Sequence, residues 1–212
     1  MKKNWFSYLL WVFTTIFVAA IFLLPETVPV HWNMQGVVDR YGSRYEYLFI
    51  SLLPLIIYYG MDFTKKIDPK YENIKKKEDI YEFFKVLMTL LFMVITIVLY
   101  FMSFELVKIN STLLIALIMG VTFIALGNYM PKVPQNYYLG IKTPWALENE
   151  EVWRKTHRMG GHIFVLVGVC SCICALVNSS IGLTVVVAMT LALIVFLYVY
   201  SYMVFKKLGK EE

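Results

Sequence analysis

Residues 5–24 read Trp-Phe-Ser-Tyr-Leu-Leu-Trp-Val-Phe-Thr-Thr-Ile-Phe-Val-Ala-Ala-Ile-Phe-Leu-Leu, 20 positions without a charged side chain. A bilayer's hydrocarbon core is about 30 Å thick and takes roughly 20 apolar residues of helix to cross, so this stretch has the length and chemistry of a span. Working outward, further apolar stretches follow at Tyr47–Met61, interrupted by Pro54, then at Val86–Phe104, Thr112–Met130, Ile163–Val177 and Ile181–Phe205. Composition agrees. Of 212 residues, 59% are hydrophobic and only 17% charged, against about 25% charged in an ordinary soluble domain, and the mean hydropathy is +0.63. In lipid every backbone polar group must be satisfied within the spanning structure, and runs this continuously apolar do not alternate as barrel strands do. The expected fold class is all-α, a polytopic membrane protein with six transmembrane helices.

The cationic residues orient the chain. Lys and Arg collect in cytoplasmic loops close to span ends. With six crossings and the N-terminus inside, 17 of the 20 Lys and Arg residues fall on the inner side: Lys2 and Lys3, the seven lysines from Lys65 to Lys85, the five cations from Lys132 to Arg158, and Lys206, Lys207 and Lys210. Only Arg40, Arg44 and Lys108 fall outside. A re-entrant second stretch would reverse the lysine-rich loop and destroy this asymmetry, so the short segment around Pro54 reads as a true crossing. Both termini are then expected in the cytoplasm. The first apolar segment leads into Pro25-Glu26-Thr27 without a small-residue cleavage site, and reads as a retained helix rather than a signal peptide.

Inside the apolar stretches chemistry is sparse. Ion-coupled transporters and intramembrane proteases place ionisable groups deep in the bilayer, where they are costly. Here Glu105 sits at the outer end of the third span, three residues from Lys108 and readable as an interfacial anchor, and Asn128 lies near the inner end of the fourth. No nucleophile elbow, His-Glu-x-x-His pair or phosphate-binding loop occurs, so no enzyme activity, cofactor or metal is expected. Cys170, Cys172 and Cys174 are spaced two apart within the fifth span, which suits neither a disulfide within the helix nor a Cys-x-x-Cys metal site. With Gly161, Gly168 and Ala175, Cys172 forms a small-residue face fit for close packing of a neighbouring helix.

Two connecting segments carry the information. The outer one runs Pro25-Glu26-Thr27-Val28-Pro29-Val30-His31-Trp32-Asn33-Met34-Gln35-Gly36-Val37-Val38-Asp39-Arg40-Tyr41-Gly42-Ser43. Its prolines forbid a helix, Gly36 and Gly42 permit turns, and Asp39 is a backbone-capping type, so an ordered, compact loop is expected over 25–46. His31 and Trp32 there suit three roles: packing at the interface, recognition of an extracellular ligand, or, with Glu26 and Asp39, metal or acid–base chemistry.

The inner segment, 127–161, runs Gly127-Asn128-Tyr129-Met130-Pro131-Lys132-Val133-Pro134-Gln135-Asn136-Tyr137-Tyr138-Leu139-Gly140-Ile141-Lys142-Thr143-Pro144-Trp145-Ala146-Leu147-Glu148, and on to Gly160-Gly161. Asn149 is a helix-capping type, followed by an acidic first turn and a basic last turn. Glu150 with Arg154, and Glu151 with Lys155, stand four apart in the favourable order, and Trp153, His157 and Gly161 share another face. This reads as a short helix lying along the inner membrane surface, with Gly160 and Gly161 turning the chain into the fifth span. Trp145, Tyr137 and Tyr138 are placed as interfacial anchors, and the surface as a connector or a docking place for a partner or lipid head group.

The inner segment closely resembles the signature of the SdpI family of bacterial membrane proteins. The outer pattern, Pro-x-x-Val-Pro-x-His-Trp-Asn-x-x-Gly-x-x-Asp-x-Tyr-Gly-Ser, resembles an N-terminal membrane domain of unknown function that often precedes it. The resemblance divides the chain into a two-helix region, 1–82, and a four-helix SdpI-like region, 83–212. It implies six transmembrane helices and immunity to a secreted membrane-active peptide, the sporulation-delaying toxin. It also implies signalling through a cytoplasmic transcriptional repressor held at the membrane, with no direct nucleic-acid binding. By position it implies toxin or ligand contact at His31, Trp32, Asn33, Gly36 and Asp39. Partner or lipid contact is implied at Asn128, Pro131, Asn136, Gly140, Lys142, Thr143, Pro144, Trp145, Trp153, Thr156, His157 and Gly160. Lys142 departs from the arginine associated with the family, and a lysine lacks the forked contact an arginine makes with carboxylate or phosphate. The competing expectations are a signalling scaffold without immunity, and a small transporter or membrane enzyme.

Overall fold

The computed structural model describes residues 5–33, 35–104, 111–177 and 180–209. Helix α1 is Trp5–Ala20, followed by strands β1 (Thr27–Trp32) and β2 (Val38–Ser43). Then come α2 (Tyr47–Ile67), the short α3 (Tyr71–Lys76), α4 (Glu78–Ser103), α5 (Ser111–Tyr129), the one-turn α6 (Pro144–Glu148), α7 (Glu150–Val177) and α8 (Ser180–Leu208). Six of these helices are long and apolar enough to cross a membrane, so the chain is a multi-pass membrane protein of all-α class, as composition indicated. Lys2, Lys3, Glu105, Lys108 and Lys210 lie outside the described residues. The chain divides into two units, Met1–Phe63 with Lys85–Ser111 and Thr64–Phe84 with Thr112–Glu212. The lysine-rich segment therefore groups with the second unit.

In the first unit Pro54 lies inside α2 and does not break it. A proline removes the amide that would bond the carbonyl four residues earlier, here Ile50, and lipid offers that carbonyl no substitute. The hydroxyl of Thr96 on α4 shares its proton between Phe92 O of its own helix at 2.8 Å and Ile50 O at 3.1 Å. The same logic governs the buried tyrosines. Tyr47 donates to Pro29 O at 2.8 Å and accepts from Ser103 Oγ at 3.0 Å, while Tyr100 donates to Phe17 O at 2.7 Å and lies 2.9 Å from Ser51 Oγ. These bonds tie α1, α2, α4 and the outer segment around an apolar cluster of Ile21, Leu24, Val28, Tyr47 and Tyr100.

The outer segment is an ordered, compact loop, as expected, and takes the form of an antiparallel β-hairpin. Its irregular register explains why alternation could not be read from the sequence. Pairing runs Pro29↔Tyr41, His31↔Arg40 and Trp32↔Val38, leaving Val30 and then Asp39 as extra residues, and such bulges redirect the side chains beside them.

In the second unit α5 and α7 pack through glycine. A Cβ on Gly120 would lie 2.8 Å from Gly168 O, and one on Gly127 would lie 2.6 Å from Gly161 O. Ser171 Oγ, buried, donates across to Ala116 O at 2.7 Å. The small face expected on the fifth span is therefore the packing face. The expected turn at Gly160 and Gly161 is not formed: α7 runs unbroken from Glu150. At 1.5 Å per residue its 28 residues span about 42 Å, more than the bilayer core, so the polar first turns continue the span instead of bending away. Glycine in this helix serves approach, not turning: a Cβ on Gly161 would meet Gly127 O at 2.7 Å and one on Gly160 would collide with Ile141 Cδ1. Arg154 also pairs with Glu151 rather than Glu150, while Lys155 reaches Glu151 at 3.4 Å as its spacing indicated.

Candidate functional site

The two segments singled out in the sequence lie in different units and form sites of different character. The outer site is the hairpin tip. Asn33 builds the turn: its Oδ1 accepts from the amides of Gln35 and Val37, both at 3.0 Å, and Gly36 takes a φ of 74° that other residues rarely adopt. Because Asp39 is the extra residue of a bulge, its carboxylate reaches His31 Nδ1 at 2.6 Å. The side chains are 61% and 41% exposed, so this pair contributes little to stability and is available to a visitor. Trp32 is half-buried and lines a cavity of about 170 Å³ with Arg40, Glu46 and Phe49. Its indole Nε1 is buried without a hydrogen-bond partner, a cost of roughly 1–3 kcal/mol when left unmade. Below the tip, Ser43 and Glu46 form a reciprocal capping box that starts the turn into α2, and Arg44 Nη1 donates to Leu24 O at 3.0 Å.

The inner site is a polar knot. Asn136 is fully buried and uses its whole amide: Nδ2 donates to Pro134 O and Leu139 O, and Oδ1 accepts from the amides of Tyr138 and Leu139. His157, also fully buried, accepts from the Ile141 amide on Nε2 at 3.0 Å and faces Trp153 O through Nδ1 at 2.9 Å. An Nε2 that accepts carries no proton, so the ring is the neutral Nδ1–H tautomer donating to Trp153 O. Trp153 stacks on His157 at 3.9 Å and donates Nε1 to Val133 O. Thr143 Oγ1 caps α6 by accepting from the Ala146 amide and lies 2.5 Å from Ser201 Oγ on α8. Asn149 caps α7 through the amides of Glu151 and Val152, as read from the sequence.

Gly140 closes the knot. Its φ is 109°, and an added Cβ would collide with His157 Nε2. Gly140→Ala is expected to lose about 2–4 kcal/mol through backbone strain and displacement of the histidine. Thermal unfolding of the full chain in detergent measures this, and an unchanged midpoint would refute it.

Thus Asn136, Thr143, Trp153, Thr156, His157 and Gly160 come together in the interior of the unit, and Thr156 Oγ1 has no partner there. Asn128, Pro131, Lys142 and Pro144 remain on the surface, and Trp145 is half-buried against Tyr198 and Tyr202. Tyr137 and Tyr138 are exposed at 43% and 42%.

Residues 132–201 match the SdpI/YfhL protein family, and residues 9–57 match a domain of unknown function, DUF1648. The SdpI/YfhL match falls within the second half of the chain. The chain is 28% identical to the immunity protein SdpI of Bacillus subtilis strain 168, over 79% of each chain. No solved structure matches it.

The inner site also recruits residues that sequence reading passed over. Asp68 accepts from the Tyr137 amide at 2.9 Å and the Lys70 amide at 2.7 Å. Lys70 Nζ donates to Gln135 Oε1 and Leu147 O, and Asn73 donates to Gln135 O. The lysine-rich segment, read as a cytoplasmic loop, is thus structured around α3 and braces the inner segment. The only local signal was Asp68-Pro69, an Asx-turn dipeptide among lysines.

Proposed function

We propose that this chain is an integral membrane immunity protein that protects a bacterium from a secreted membrane-active peptide, with the outer hairpin as the contact site. The similarity to an immunity protein over 79% of both chains supports the activity. The observation that carries the site is Trp32: it lines a cavity of about 170 Å³, room for one side chain, and among the described residues its buried indole N–H has no acceptor. An apolar side chain of an arriving peptide would fill the cavity, a shift of the Trp32 ring on binding would bring its N–H to a backbone carbonyl of that peptide, and the exposed His31–Asp39 pair lies on the same hairpin. On this reading the chain works by binding, without enzymatic chemistry.

The test is survival and membrane potential of a toxin-sensitive bacterium expressing the full chain under challenge with the sporulation-delaying peptide. Preserved potential is expected. Trp32→Phe keeps an aromatic ring and removes the donor, and is expected to lower the tolerated toxin concentration roughly tenfold, the scale of a buried interfacial anchor. His31→Ala is expected to act in the same direction. Both variants should accumulate normally, since Trp32→Phe breaks no hydrogen bond of the hairpin and the His31–Asp39 pair lost in His31→Ala is too exposed to contribute much stability. Full protection by both, at normal accumulation, would remove the hairpin as the contact site.

A second reading, capture of a transcriptional repressor on the inner side, is favoured by the exposed signature residues Asn128, Pro131, Lys142 and Pro144. Lys142→Ala tests it by co-purification. Trp145→Ala would not, because Trp145 packs on Tyr198 and Tyr202.

A further inference from the structure

A second cavity, of about 500 Å³, opens between α3, the turn after α5 and the first turns of α7. Its charged lining is Lys76, Lys77, Lys132 and Arg154, against the single carboxylate of Glu150. Arg154 is neutralised by Glu151 and Lys132 lies 4.6 Å over the Tyr129 ring. Among the described residues no carboxylate forms an ion pair with Lys76, Lys77 or Lys132, and all three are exposed. Three lysines without a carboxylate partner lining one concavity repel one another unless an anion enters. The floor is built, not fluid: Val133 O is held by Trp153 Nε1, and Gln135 and Asn73, which also line the cavity, are fixed by the bonds that brace the signature. The walls fall at the ends of two candidate spans, Leu113–Lys132 and Glu150–Leu176, which places the cavity at the depth of lipid head groups.

We propose that this cavity binds a phosphate-bearing anion, held by Lys76, Lys77 and Lys132. Phosphate suits the site because lysine ammonium groups serve as point charges for a diffuse oxyanion, and each lysine near an anionic surface contributes about a fivefold gain in binding. None of the three lysines belongs to the outer contact site, so this inference stands apart from immunity.

The experiment titrates purified full chain in neutral detergent with short-chain phosphatidylglycerol, phosphatidylcholine and inorganic phosphate, reading the unfolding midpoint and intrinsic tryptophan fluorescence. Saturable binding of phosphatidylglycerol but not phosphatidylcholine assigns the site to a lipid head group, and saturable binding of inorganic phosphate assigns it to a soluble anion. In either case the triple variant Lys76→Gln, Lys77→Gln, Lys132→Gln is expected to weaken binding roughly a hundredfold. Lys206→Gln with Lys207→Gln, cations outside the cavity, is expected to change it less than about twofold. Equal losses in the two variants would mean diffuse surface charge and overturn the proposal, as would no saturable binding of either anion.

Discussion

Gly168→Val is expected to lower the stability of the full chain in detergent by about 3 kcal/mol or more, read as a fall in the unfolding midpoint. A Cβ there would sit 2.7 Å from Gly120 O and 2.8 Å from Ile124 N, and backbone cannot step aside as a side-chain tip can. The helices must part, and overpacking of this kind typically costs roughly 1–3 kcal/mol before secondary losses. Separation also pulls Ser171 Oγ from Ala116 O, orphaning polar groups where lipid offers no replacement. Gly60→Ala is the control. It lies in α2, where an added Cβ meets nothing within 4 Å, and alanine is the better helix former by about 1 kcal/mol, so the midpoint should hold or rise. A Gly168→Val protein as stable as the parent would show that α5 and α7 do not depend on this approach.

Asn136→Ala should be comparably severe for a different reason. The side chain is fully buried and satisfies two carbonyls and two amides of its own loop. Truncation leaves four backbone groups without partners, each costing on the order of 1–3 kcal/mol if buried dry. Asn136→Asp keeps the acceptor for Tyr138 and Leu139 but sets a carboxylate oxygen against the carbonyls of Pro134 and Leu139, so it should rescue only part. The loss should appear as reduced accumulation in membranes and a lowered midpoint, with the parent most stable, Asn136→Asp intermediate and Asn136→Ala least stable. Equal stability of all three would mean that the loop is held by Trp153 and Thr143 alone.

Features confined to one helical turn were legible in the chain order. The cap at Asn149 and the ion pair of Glu151 with Lys155 are of this kind, and so is the small face of the fifth span, since spacing on a helix assigns faces without knowledge of the neighbour. Glu150 with Arg154 was misjudged because two acceptors stood within reach of one guanidinium, and rotamers choose between them only in three dimensions. Gly160-Gly161 looked like a turn because isolated sequence weighs glycine's freedom, whereas here its value is the absence of a Cβ beneath Gly127 O and Ile141. The hairpin escaped notice because two bulges erase the alternation by which strands are recognised.

Within the candidate sites the division is similar. The signature residues were identifiable, but their burial was not: His157, Asn136 and Thr143 spend their polar atoms on the chain itself, while Trp32 does not. Beyond the Asp68-Pro69 turn dipeptide, Asp68, Lys70 and Asn73 gave no signal of their contacts with the inner segment, because those partners are between 62 and 77 positions away. By itself the sequence determined the membrane class and the six spans, because transfer of apolar side chains into lipid depends on composition over one helix length. Only the tertiary structure decided which hydroxyl rescues the carbonyl freed by Pro54, which glycines touch and which donors remain unmet, because hydrogen bonds and steric contacts act over about 3 Å between residues that chain order leaves far apart.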